Sequence, residues 1–249
     1  MRLLAFHVHT SYSYDCIASP KSIVRFCQEH HIGTVCITDH ETIRGSAEAA
    51  KLTQGSGVQA IIGAEYHTEV GDIIGLFLKE EIVSHQSMEV IRTIRAQGGI
   101  SVLPHPYQSH TLNEGLLEAV DIIEVFNSRC DEGQNKQSFE LADRLKKPML
   151  AGADAHFAGD INDCLVTFSA EGELTPDNFL SAQRSWSAAS THPIHMRLSQ
   201  ITKAIKIADP SLMYRSVRSF AYTALHELIH SQSKKRTTSR NEWKNTNND

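Results

Sequence analysis

The stretch Leu3-Leu4-Ala5-Phe6-His7-Val8-His9-Thr10, running on to Asp15, decides how this chain is read. Its apolar start reads as a buried strand. Alternate side chains of a strand point to the same face, which would make His7 and His9 neighbours about 6.6 Å apart along it. Two imidazoles on one face at the end of an apolar strand suit a divalent metal. Taken alone, the pair reads equally well as two surface histidines. Further along, Asp39-His40, Glu65, Pro104-His105-Pro106 and Asp154-Ala155-His156 also stand at the ends of apolar runs. That recurrence favours metal.

Between the apolar runs lie amphipathic segments. Ser19-Pro20 reads as an N-cap followed by proline at the first helical position. The helix it opens ends near Gly33. Further helices are expected over 43–54, 87–97, around Leu116, and over 134–146. Strands are expected over 34–38, 58–64, 73–78, 100–103, 122–126, 148–151 and 165–168. This steady alternation of β and α argues for a parallel sheet, open or closed, with a barrel of about seven strands preferred. The candidate site residues fall at the C-terminal ends of the strands, where such α/β folds place their chemistry. Residues 1–190 form this domain. Residues 191–230 read as a helical extension. The polar, basic stretch 231–249 reads as a disordered tail.

Composition sets the bounds. The chain has 249 residues and a net charge of −5. Lys and Arg outnumber Asp and Glu from 197 onward, and the reverse holds before it. An acidic body fits a carboxylate-rich metal site. The basic end fits either an anionic partner or a solvated helix and tail. Five cysteines without a CxxC pair suggest reduced thiols and a cytoplasmic setting. No run is long enough to span a membrane, and the start is too short and too soon polar for a signal peptide.

His7, His9, Asp15, His40, Glu65, His105, Asp154 and His156 supply nitrogen and oxygen donors and no sulfur. Such a set suits Zn, Mn or Fe and argues against Ca. It is too large for one tetrahedral ion and large enough for two or three ions sharing carboxylates. Multinuclear sites of this kind clamp an in-line displacement at phosphorus and generate hydroxide near neutral pH. No Ser or Cys sits in a nucleophile motif such as G-x-S-x-G, so that hydroxide is the expected nucleophile. Asn127, Arg129 and Arg44 are the substrate-side candidates; Arg suits bidentate phosphate binding, and a solvated loop arginine is the alternative. Asp39 reads as a residue that orients His40 or caps a turn. Glu124 reads equally as a hydrogen-bonded buried carboxylate and as a ligand.

His-x-His-Thr-x-x-Ser from His7, Thr38-Asp39-His40, Gly63-Ala64-Glu65, Pro104-His105-Pro106 and Asp154-Ala155-His156 together resemble the PHP (polymerase and histidinol phosphatase) family. Ile123-Glu124-Val125-Phe126-Asn127 resembles the associated C-terminal segment. The resemblance covers about residues 1–170 and is specific as an ordered set. It implies a distorted (β/α)7 barrel with a trinuclear metal centre and phosphoesterase activity. Mapped by motif, it implies one ion on His7, His9, Glu65 and Asp154, and a second shared by Glu65 with His105. The third would sit on Asp15, His40 and His156.

Two departures stand out. Cys16 follows Asp15 where relatives commonly have glycine. Where many relatives carry a histidine after the Glu65 position, this chain offers Asp72, with His67 and Glu69 behind it. If Asp72 does not fill the role, the centre is dinuclear. The expected partner is a phosphorylated small molecule or nucleotide. A nuclease acting on RNA or DNA ends and a non-catalytic metal-bound module are the alternatives.

Overall fold

The computed structural model describes residues 2–170, 172–230 and 241–244. In chain order the elements are β1 (Arg2–Val8), α1 (Pro20–Glu29), β2 (Thr34–His40), α2 (Arg44–Leu52), β3 (Gln59–Thr68) and β4 (Gly71–Leu76). Next come α3 (Ser87–Ala96), β5 (Ile100–Leu103), α4 (Glu114–Ala119), β6 (Ile122–Asn127), α5 (Glu132–Leu145) and β7 (Met149–Gly152). A 3-10 helix (Ala158–Asp163) leads into β8 (Cys164–Phe168), α6 (Pro176–Ser181) and β9 (Arg184–Ala188). The C-terminal part holds α7 (Pro193–Lys206), α8 (Pro210–His230) and β10 (Asn241–Lys244).

Local chemistry accounts for the helix ends. Ser19 caps α1 by accepting from the Ser22 amide, and α1 buries Ile23, Val24 and Cys27. Asp131 and Gln134 form a reciprocal capping box at the start of α5, and Lys146 ends it in the left-handed conformation. Fully buried Leu4, Phe6, Ile37, Ile74, Leu76, Phe168 and Phe179 belong to one continuous apolar core.

The strands make a mixed, nearly closed barrel. The strand order is β10-β9-β8-β1-β2-β3-β4-β5-β6-β7. β1, β2 and β3 are parallel, as are β5, β6 and β7. Closure comes where the chain leaves β7 and returns to β1. The Ala153 amide donates to Phe6 O at 3.0 Å, the Ala155 amide to His7 O at 3.0 Å, and the His9 amide to Ala155 O at 2.9 Å. The bonds that close the barrel thus join two segments that carry candidate ligands, 7–9 and 154–156.

The expected α/β barrel is present, and its sheet is mixed where the β–α alternation argued for a parallel one. β4 runs antiparallel to both β3 and β5. The turn at Thr68–Gly71 is too short for a crossover, so the chain must double back. Gly71 adopts φ 119°, open chiefly to glycine. β8 is antiparallel to β1, and β9 to β8. β9 was not expected from the sequence; its Arg-Ser-Trp-Ser-Ala alternates buried and half-buried positions.

α7 and α8 are divided near Ala208, which has φ 54°. Of 231–249, only Asn241–Lys244 is described, as a strand antiparallel to β9; the expected disorder otherwise falls outside the described residues. No described helix is long and apolar enough to cross a membrane.

Candidate metal centre

The two histidines of the opening motif converge by a route that simple strand alternation does not give. β1 pairs Ala5 with Val35 and Val8 with Ile37, so β1 carries one extra residue at this point. That bulge falls at Phe6–His7, and His7 has φ 61°. His9 lies just past the strand. Their ring centroids are 5.2 Å apart. His105 and Asp154 also hold positive φ, 28° and 47°. Non-glycine residues in such conformations cost about 1–3 kcal/mol each and persist where the surroundings over-determine them, typically at functional sites.

The candidate ligands gather into overlapping groups whose donor atoms lie within 4.8 Å of one another. These are His9/Asp15/His40/His156, His7/His9/Glu65, His7/His105/Asp154 and Glu65/Asp72/His105. Glu65 is the hub. Its Oε1 is 3.1 Å from His105 Nε2, and its Oε2 is 3.2 Å from His40 Nδ1 and 3.4 Å from His7 Nε2. Asp154 Oδ1 is 3.4 Å from His9 Nε2, and Asp15 Oδ2 is 3.0 Å from His156 Nε2 and 3.3 Å from His40 Nε2.

These spacings fit metal ligation. Donors bound at 2.0–2.2 Å around one tetrahedral ion lie about 3.4 Å from each other. His9 Nε2 and Asp15 Oδ1, both in the His9/Asp15/His40/His156 group, are buried without a hydrogen-bond partner. Buried polar atoms rarely go unpartnered, and ions would satisfy both. The donor set contains no sulfur: all five cysteines are buried and free.

A supporting network fixes which atom of each ring faces the cluster. Glu124 Oε1 accepts from His7 Nδ1 at 3.0 Å, leaving Nε2 inward. Glu124 Oε2 accepts from the His105 amide at 2.8 Å and from Asn127 Nδ2 at 3.0 Å, so Glu124 is a hydrogen-bonded orienter. Ser13 Oγ donates to Asp39 Oδ1 at 2.8 Å and accepts from His9 Nδ1 and the His40 amide, each at 3.1 Å. Asp39 accepts in addition from the Thr10 amide and hydroxyl. Gly45 permits this approach; a Cβ there would strike Asp39 Oδ2 and Thr10 Oγ1.

The charges are mutually balanced. Burial lowers the His7 pKa, but the carboxylates of Asp154, Glu124 and Glu65 outweigh it and hold it well above the ordinary value. Burial likewise opposes the charge on Glu65 and Asp154, yet the neighbouring imidazoles, led by His7, keep both well below the usual carboxylate range. Against burial, hydrogen bonding to Asp15 and the charge of Glu65 raise His40 to about 9. His9 goes the other way: burial and the neighbouring His156 and His40 lower it.

Asp72 is half-buried and reaches the Glu65/His105 group, while His67, exposed, pairs with Asp72 at 2.8 Å. Glu69 turns away to Ser87. Cys16 has a place of its own. Its Sγ lies 3.3 Å from His9 O and 3.0 Å from His156 O, and burial pushes its thiol up to about 12, so it stays a donor between two ligand-bearing loops.

Among the substrate-side candidates, Arg129 is brought to the cluster. Its Nε is 4.0 Å from Asp154 Oδ2 and its Nη1 is 3.3 Å from His156 Nδ1. The Asn127 side chain is hydrogen-bonded within the protein. Its amide donates to Glu124 and to Asp154 Oδ2, and its Oδ1 accepts from the Arg129 amide. Arg44 lies over the Tyr12 ring, 5.0 Å from its centroid, and is engaged there. Sequence reasoning missed Tyr14, which stacks on His40 with centroids 4.4 Å apart and planes 3° apart.

The PHP domain pattern matches residues 5–188, spanning every candidate ligand. The chain belongs to the PHP domain family. Two relatives of this PHP protein are uncharacterized proteins of Methanocaldococcus jannaschii. One is 38% identical over 141 residues, covering 51% of this chain and 82% of the relative. The other is 33% identical over 193 residues, covering 70% of this chain and 76% of the relative. A solved two-domain protein from Bacteroides vulgatus is described as containing a predicted PHP-like metal-dependent phosphoesterase. It superposes on this chain with a TM-score of 0.54 at 15% identity, covering 75% of this chain and 58% of that one. At that identity the likeness is one of fold.

Proposed function

We propose that this PHP-domain protein hydrolyses phosphate esters of small molecules or nucleotides at a centre of two or three divalent ions, with Zn, Mn and Fe the metals its donors suit. The observation that carries the reading is the hub at Glu65, around which imidazole and carboxylate donors form several overlapping groups. His7, His9, Glu65 and Asp154 would hold one ion, Glu65, Asp72 and His105 a second, and Asp15, His40 and His156 a third. When bound, such ions offset the negative charge that protects a phosphate ester and lower the pKa of a coordinated water to about 7.

The chain's own residues do the positioning. His156 Nδ1 donates to Asp154 O at 2.9 Å, which directs Nε2 to the cluster. With that tautomer, Nδ1 offers no acceptor to Arg129, and Arg129 Nη1 is left for a substrate oxygen. Arg129 Nη2 is anchored by Ser199 Oγ at 2.7 Å. A guanidinium fixed on one side binds a non-bridging phosphate oxygen without first losing its rotamer freedom. Charge developing on that oxygen in the transition state strengthens the contact. None of the described groups is assigned as the general acid, because His40 and His156 are committed as ligands.

The test is hydrolysis of p-nitrophenyl phosphate and a panel of phosphate monoesters and nucleotides by protein reconstituted with Mn²⁺. The expected result is turnover that chelator abolishes and that Arg129→Ala lowers about 100-fold, the worth of a charged transition-state contact. Absence of turnover across the panel, in protein shown to hold its metal, would refute the reading.

A further inference from the structure

The helix α7 lies beyond residues 5–188, yet one of its faces touches residues that surround the candidate metal centre. His195, Ser199, Lys203 and Lys206 follow the three- and four-residue spacing that puts side chains on one helical stripe. His195 Nδ1 meets Asp160 Oδ1 at 2.6 Å, and Asp160 Oδ2 accepts from the His156 and Phe157 amides. Ser199 holds Arg129. Lys206 Nζ donates to the carbonyls of Ser11, Ser13 and Cys16 at 2.8, 2.7 and 2.8 Å, using all three of its hydrogens on the 11–16 loop that carries Asp15.

Lys203 differs from these. Its ammonium makes no hydrogen bond or ion pair among the described residues. It lies 4.5 Å from the centroid of Tyr14, the ring that stacks on His40. A half-buried cation thereby sits on the ring that stacks on His40, a member of the His9/Asp15/His40/His156 group. Lys203 thus reaches the candidate ligands only through Tyr14 and touches none of their donor atoms, a place that suits a neighbouring group of a substrate better than the phosphorus under attack. Ser199, which anchors Arg129, and Lys203 are one helical turn, about 6 Å, apart on the same stripe.

We propose that Lys203 is a specificity-determining residue that binds a second anionic group of the substrate, a phosphate or carboxylate beyond the ester being cleaved. This rests on the phosphoesterase reading for the identity of the first group. Tyr14 supplies the platform, and His195, Ser199 and Lys206 hold α7 in place for it.

The experiment is calorimetric binding of inorganic phosphate, pyrophosphate and phosphoglycolate to the Mn²⁺-loaded full chain and to its Lys203→Ala, Lys203→Gln and Lys203→Arg variants. Metal content is measured alongside. Lys203→Ala and Lys203→Gln are expected to weaken pyrophosphate or phosphoglycolate about 10-fold, the worth of one charged contact, and phosphate by less than about 2-fold. Lys203→Arg is expected to restore most of the loss. Which of the two larger anions responds identifies the second group. Equal weakening of all three anions, or of none, with metal content unchanged, would overturn the proposal. Binding does not require turnover, so a protein that binds as expected but hydrolyses nothing refutes the phosphoesterase reading alone.

Discussion

Glu124 Oε1 accepts a hydrogen bond from His7 Nδ1 across 3.0 Å, with both side chains fully buried. The pair turns His7 Nε2 to the cluster and raises the basicity of the ring. Outer partners of this kind are worth about 10–100-fold in metal affinity. Glu124→Gln is therefore expected to weaken Mn²⁺ binding by that order, measured calorimetrically, while the metal-free protein still unfolds cooperatively. Gly152→Ala should produce the same defect, because a Cβ there would strike Glu124 Oε1 and crowd His7. Native affinity in both variants would contradict the assigned role of Glu124.

Asp72 reaches Glu65 and His105 from β4, the reversed strand. Asp72→Ala should remove one ion per chain by elemental analysis and lower turnover at least about 10-fold. The far-ultraviolet circular dichroism should be unchanged, since Asp72 is half-buried and outside the apolar core. Unchanged metal content would remove Asp72 from the ligand set.

Lys206 pins the 11–16 loop that carries Asp15 by three carbonyls. Lys206→Ala should loosen that loop and weaken the ion held by Asp15, His40 and His156 about 10-fold, the lower end for an outer-shell contact. Lys206→Arg should recover part of it. Manganese titration followed by electron paramagnetic resonance reads the affinity directly. An alanine variant with the native titration would show that α7 does not support the centre.

Protons and ions compete for the same ring nitrogens, which fixes a pH dependence. In chelated protein His40 is raised from 6.5 to about 9; burial opposes this, and Asp15 and Glu65 prevail. A raised histidine contributes stability that is fully present below its unfolded value and is lost as pH rises through its folded one. The Tm of chelated protein should therefore fall between pH 6.5 and 9. Metal affinity rises over the same window as His40 loses its proton, so the Tm gap between loaded and chelated protein should widen. A chelated Tm that climbs across this window would be the contrary result.

Much of the clustering was legible in the sequence because the candidate ligands sit at the ends of apolar strands. Apolar runs are the strongest local signal, and the residues just past them lie at the barrel mouth. The bulge at Phe6–His7 was not legible, since an extra residue in one strand shows only against its partner's register. The reversal of β4 was written in the short turn before it, but the β–α rhythm on either side masked it. Glu124 could be read two ways because a buried carboxylate in a strand looks the same whether it meets an ion or a histidine. The stripe on α7 is regular in sequence, yet its targets, Asp160, Arg129, Tyr14 and the 11–16 loop, are brought to it only by tertiary packing.

The central claim is a multinuclear centre built from nitrogen and oxygen donors around Glu65. The most direct measurement is elemental analysis of full-length protein purified without chelator, beside Glu65→Gln. The account predicts two or three transition-metal ions per chain in the native protein, and loss of at least one in the variant, because Glu65 Oε1 and Oε2 face different partners. One ion or none in the native protein, or an unchanged count in Glu65→Gln, would contradict it.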